Sequence, residues 1–178
     1  MLLTYRPAYR PTFRADWKRV ISARRWWILA AFVSASLAAA ALGTALAAVA
    51  AGSGWYAGLR MPLWMPPEWL IGVPCLAAYA LASVSAWRVW LSPHSNERRR
   101  SLQLYALQSV LSALWLPLFF GLRSPSAALL DLTLLLATLL WMQPRFRRVQ
   151  WTAASLLTPY LVSVAGALLL NLSIVNMN

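Results

Sequence analysis

Few side chains in this sequence could do chemistry, and they are scattered. The single histidine, His94, sits in a Ser-Pro-His-Ser-Asn stretch beside arginines, and the single cysteine, Cys75, lies in an apolar run. That is neither a metal cluster nor a nucleophile with its base, so no metal site and no catalytic triad is expected. Glycine-rich phosphate loops are absent. Asp131 is the one acid inside a long apolar run. An ionisable group there is costly, and it points either to function or to a bond across helices. The remaining candidates are aromatic. Residues 55–69, Trp-Tyr-Ala-Gly-Leu-Arg-Met-Pro-Leu-Trp-Met-Pro-Pro-Glu-Trp, hold three tryptophans and three prolines in fifteen positions. Pro66 and Pro67 lack a backbone donor and restrict the residues before them, so no helix runs through this segment. It is too aromatic for an ordinary solvated loop and reads as a lid.

The elements that must position these residues are apolar. The chain has 178 residues, 61% hydrophobic and only 11% charged, outside the usual range of soluble domains. Five apolar runs, at about 26–50, 69–90, 102–122, 125–142 and 152–174, each approach the length a helix needs to cross the hydrocarbon. They lack strand alternation, and only closed hydrogen bonding survives in lipid. The expected fold is an all-α membrane protein, a five-transmembrane-helix bundle over residues 26–178 with a lid loop at 51–68. A basic arm, residues 1–25, precedes it and is expected to be mostly disordered. It reads as a topology signal on anionic headgroups, or else as a mitochondrial transit peptide.

Net charge is +12, which in a soluble protein would suggest nucleic acid. Here the cations separate the apolar runs instead, so no nucleic acid partner is expected. Fourteen Lys and Arg fall in the arm and in the second and fourth connections, against only Arg60 and Arg123 on the other side. The positive-inside rule then predicts the N-terminus inside and the C-terminus outside. Trp26, Trp27, Trp69, Trp87, Trp90, Trp141 and Trp151 fall near predicted helix ends, where indoles favour the interface. Trp115 lies deeper and reads either as core packing or as a ligand wall. Pro74, Pro117 and Pro159 are expected to kink their helices. The alanine-rich stretch 38–51, with Gly43 inside it, allows close approach between helices or between subunits.

This topology puts the lid, Cys75, Tyr79, Trp115, Asp131 and Asn171 in the outer half. A mostly apolar pocket with a few oriented polar groups suits a flat hydrophobic ligand. Residues 55–69 resemble the first loop of the TspO/MBR family, the tryptophan-rich sensory and translocator proteins. The resemblance continues through Leu114–Gly121, Ala128–Asp131, Pro159-Tyr160 and Leu170-Asn171, in order from about residue 30 to the end. It implies a five-helix bundle, usually a homodimer, whose first loop closes a pocket for porphyrin, haem or another tetrapyrrole. Trp55, Pro62, Trp64, Pro66, Pro67, Tyr79, Trp115 and Asn171 match family positions, and Ala167 falls on a small-residue position facing the pocket.

The departures matter as well. The family usually carries tryptophan where Cys75 and Ser163 stand, and asparagine at Ser112. The two tryptophan positions are tied to light-driven porphyrin breakdown in some members. The family's sterol-recognition pattern is not met, since Leu172 and Asn176 stand where tyrosine and a cation belong. The expected ligand-binding set is Trp55, Trp64, Pro66, Pro67, Cys75, Tyr79, Trp115, Asp131, Ser163, Ala167 and Asn171, with no catalytic residue and no required cofactor. The expected function is a sensor or transporter of tetrapyrrole-like ligands in a membrane, bacterial rather than mitochondrial. A porphyrin-degrading enzyme and a ligand-free scaffold are the alternatives.

Overall fold

The computed structural model describes residues 23–178, so the basic arm lies outside the described residues up to position 22. Five long helices follow: α1 (Ala23–Gly52), α2 (Glu68–Leu91), α3 (Asn96–Leu116), α4 (Pro125–Val149) and α5 (Trp151–Met177). Among the described residues four stretches, Trp26–Ala50, Asn96–Gly121 (α3 with the turn that follows it), Pro125–Val149 and Trp151–Met177, are long and apolar enough to cross a membrane. The chain is a helical membrane protein.

The helices outrun the apolar runs at the arginine-rich side. α3 starts six residues before the expected 102, where the Ser95 hydroxyl accepts from the Arg98 N–H at 3.1 Å and Glu97 sits in the first turn. α4 continues to Val149, through Pro144 and past three arginines, rather than stopping near 142. Apolar length measures the hydrocarbon, whereas the hydrogen-bonded helix carries on into the polar interface. Pro74 and Pro159 stand inside continuous helices. At Pro117 the helix instead widens into a π turn, Pro117–Gly121, closed by the Leu122 N–H on the Pro117 carbonyl at 2.9 Å. Arg123 then takes a left-handed φ of 52°, and the Ser124 hydroxyl caps α4.

α5 lies between α2 and α4, α3 covers the far side of α4, and α1 packs on α2 and reaches α3. The core is densest toward the arginine-rich end. Val89, Leu139, Met142, Phe146 and Leu157 are all 0% exposed. Lipid is as apolar as these side chains, so close packing and interhelical hydrogen bonds hold the bundle. Ser85 donates to the Ala153 carbonyl, and Gln143 donates to the Ala154 carbonyl and to Thr158. Gly43 serves an approach within the chain. A Cβ added there would run into the Leu116 side chain, so α1 crosses α3 closely at this glycine.

Candidate functional site

The loop between α1 and α2 turns out of α1 at Gly54, whose φ of 71° favours glycine. One 3₁₀ turn, Tyr56–Gly58, follows. That turn aims two rings at the π segment of α3. Trp55 meets Phe119 edge-on at 5.9 Å, and Tyr56 meets Phe120 at 5.7 Å. Phe119 in turn contacts Trp115 at 5.8 Å. The extra backbone of a π turn reorients the side chains that follow it, and here it serves the loop contact. Beneath the loop, Phe119, Ala128 and Ile174 are buried, with Trp115 and Leu170 packed against them.

The middle of the loop is held by a residue that the sequence does not mark. Asn178 Oδ1 accepts from the Arg60 N–H at 2.9 Å, and its Nδ2 donates to the Arg60 carbonyl at 3.1 Å. No local pattern marks such a clasp, because its partners lie 118 residues apart. The loop's candidates divide. Trp55 points inward, Pro66 is half-buried, and Pro67 and Trp64 face outward, Trp64 being 56% exposed.

Inside the bundle, Tyr79 joins α2 to α3 and α5. Its hydroxyl accepts from Ser112 at 3.1 Å, and its ring lies 5.4 Å from that of Tyr160. Cys75, a free thiol one turn earlier, is half-buried. The Tyr160 hydroxyl is buried without a hydrogen-bond partner among the described residues, and so are Trp115 Nε1 and Asp131 Oδ2. Buried polar atoms of native proteins are rarely left so. Neither Ser112 nor Tyr160 was among the expected ligand contacts. Tyr160 belongs to the Pro159-Tyr160 pair of the resemblance, and Ser112 is one of its departures.

Asn171 and Asp131 play different parts. In the amide orientation that satisfies it, Asn171 donates to the Pro125 carbonyl at 3.3 Å and accepts from the Leu129 N–H at 3.0 Å. It wedges into the first turn of α4, so both its polar groups are satisfied within the protein. Asp131 is 5% exposed, and no cation lies within ion-pair distance among the described residues, Arg123 included. Ser163 bonds back to the Pro159 carbonyl at 3.0 Å, and Ala167 packs against the main core.

The sequence puts the expected hollow directly under the loop, where the ring cluster of Trp55, Trp115 and Phe119 is packed. The cavity that reaches Tyr79 lies deeper, near mid-depth. It occupies about 410 Å³ between α1, α2 and α3. α1 touches α3 at Phe32 on Tyr105, with rings 5.4 Å apart, and again at Gly43 on Leu116. The cavity opens between these two contacts. Its walls are mostly alanine and aromatic, interrupted by Ser36, Tyr79, Gln108, Ser109 and Ser112. The Ser36 and Ser83 hydroxyls pair at 3.0 Å, and Tyr105 donates to Ser83 at 3.4 Å. Such a space is within the size range of small-molecule pockets. Of the expected residues only Tyr79 lines it. Trp55 and Trp115 belong to the ring cluster above.

Known proteins share this arrangement in sequence. A model of the TspO/MBR family matches residues 29–177. Protein CrtK of Rhodobacter capsulatus is 34% identical over 141 residues, covering 79% of this chain and 88% of that protein. The translocator protein of Sus scrofa is 38% identical over 119 residues, covering 66% of this chain and 70% of that protein. The tryptophan-rich protein TspO of Chlorobaculum tepidum is 35% identical over 133 residues, covering 71% of this chain and 80% of that protein. With the family match running through all five helices and the aromatic loop, the chain belongs to the TspO/MBR family.

Proposed function

We propose that this protein binds a flat hydrophobic molecule of the tetrapyrrole class inside its helix bundle and acts as a membrane sensor or transporter for it. The observation that carries this reading is the set of buried, unpartnered polar atoms in two aromatic groups, Trp115 with Phe119 and Tyr160 with Tyr79. Trp115 Nε1 and the Tyr160 hydroxyl sit among aromatic side chains, and Tyr79 links their neighbourhood to the 410 Å³ cavity. Macrocycle faces would stack on the rings, and polar edge groups would satisfy the indole and the phenol. Trp55 packs on Phe119 in the ring cluster under the loop, so a ligand entering from that side would displace the Trp55–Phe119 contact.

In this reading all five helices cross the membrane, α2 included. The arginine-rich ends lie inside, in keeping with the charge count, and the loop lies outside. Exposed Leu37, Leu42 and Val49 on α1 suit a contact with a second copy in a homodimer. The membrane is expected to be bacterial.

Titrating protoporphyrin into the full-length protein in detergent should quench its tryptophan fluorescence with saturation. Changing Trp115 and Tyr160 together to phenylalanine should raise the apparent Kd by about tenfold, the loss of one to two hydrogen bonds. A folded wild-type sample that shows no saturable quenching would sink the proposal.

A further inference from the structure

At the arginine-rich end a second cavity, of about 450 Å³, has a different chemistry. It is bounded by Trp90 at the end of α2, by His94 and Ser95, and by the opening turns of α3 from Arg98 to Ala106. Arg98 is only 8% exposed. Its guanidinium donates to His94 Nδ1 at 2.7 Å and lies 5.6 Å from the centre of the Trp90 ring. A guanidinium can only donate, so His94 Nδ1 must accept, and the imidazole brings no negative charge. Among the described residues no carboxylate lies within ion-pair distance of Arg98. Glu97, its neighbour, reaches Arg100 instead, at 4.0 Å.

A buried cation without an anion is unusual, because the charge loses water and gains no opposite charge. Arg99 lines the same cavity and is exposed. The first turn of α3 adds the positive end of a helix dipole. Beyond the arginines the wall becomes apolar at Leu102 and Ala106, one turn apart on one face. A cationic opening therefore continues into an apolar groove at the level of an interfacial indole. Free phosphate would use only the first part of that surface.

We propose that this cavity binds an anionic phospholipid of the leaflet on the arginine-rich side. The phosphate sits on Arg98 and Arg99, and an acyl chain runs along Leu102 and Ala106. Trp90 stacks under Arg98 and orients the guanidinium, which explains why so exposed a connection buries a cation. Leu102 and Ala106 also border the 410 Å³ cavity, so the two spaces adjoin along α3, while Arg98, Arg99 and Trp90 belong to this one alone.

Native mass spectrometry of the full-length protein tests this, with phosphatidylglycerol and phosphatidylcholine of identical acyl chains. The wild type should retain one phosphatidylglycerol more strongly than phosphatidylcholine. Arg98→Gln should cut that retention by about fivefold and Arg99→Gln by about twofold to fivefold, the range for one cation at a membrane surface. The seven cations of the N-terminal arm act equally in all three proteins, so the difference reads the cavity. Arg99 is exposed, and its variant keeps the test decisive even where Arg98→Gln does not fold. Equal retention of phosphatidylglycerol by the wild type and the folded variants overturns the assignment. So does phosphatidylcholine held as firmly as phosphatidylglycerol. Displacement of the lipid by inorganic phosphate at equal concentration overturns the choice of a lipid over the free ion.

Discussion

The two ends of the bundle are closed by different means. At the arginine-rich end, Phe146, Met142 and Leu139 from α4 interlock with Leu157 from α5 and Val89 from α2, none of them exposed. At the loop end, closure rests on ring pairs with centroids 5.7 to 5.9 Å apart and on the Asn178 clasp. Between the two lie the 410 Å³ cavity and buried polar atoms that the protein itself does not satisfy. One end is closed by dense packing, and the other by a few ring contacts and two hydrogen bonds. A protein that admits a ligand from one side needs this asymmetry, because regions that open are drawn from the less stable parts of a fold.

The sharpest way to break the comparison is at its densely packed end. Phe146→Ala should destabilise the bundle by about 3 to 5 kcal/mol, the cost of a large cavity in a packed core. The readout is a lowered Tm of the whole protein in detergent. An unchanged Tm would mean that this end does not carry the stability. A smaller effect is expected where α1 crosses α3. Gly43→Ala brings a methyl against Leu116 and should cost about 1 to 3 kcal/mol, as overpacking does. Leu116→Ala in the same chain should recover part of that loss, since the two positions share one contact. Failure of the second change to help would remove the close crossing as the cause.

The smallest effect belongs to the loop. Asn178→Ala should leave Tm nearly unchanged while speeding amide exchange at Arg60 by about twofold to tenfold, the loss of one modest hydrogen-bonded clasp. The same substitution should make protoporphyrin associate faster if the loop gates the interior. Were Asn178→Ala to lower Tm as far as Phe146→Ala, the two ends would not be separate in stability.

Much of the fold was legible from local pattern. The five helices, the loop and the π segment's proline all follow from runs of apolar residues and from punctuation by proline and glycine. The candidate site was less legible. Trp55 and Trp64 sit nine residues apart with the same side chain, yet one packs on Phe119 and the other is 56% exposed. Asn171 reads as a ligand contact in the sequence, and its bonds to the first turn of α4 were not legible there. Gly43 read equally as an approach between helices or between subunits, and it faces α3 of its own chain. Such outcomes depend on helix rotation. Helices apolar on nearly every face carry little record of which face turns inward.

Membrane insertion, helical class, charge asymmetry and family membership were therefore decided by sequence alone. Each of these depends on hydrogen bonds and transfer energies within one contiguous segment. The depth of the cavity, the Tyr79–Ser112 bond and the clasp of Asn178 on Arg60 were decided only by tertiary structure. They require residues from distant segments to meet, and those meetings are chosen by the packing of whole helices against one another.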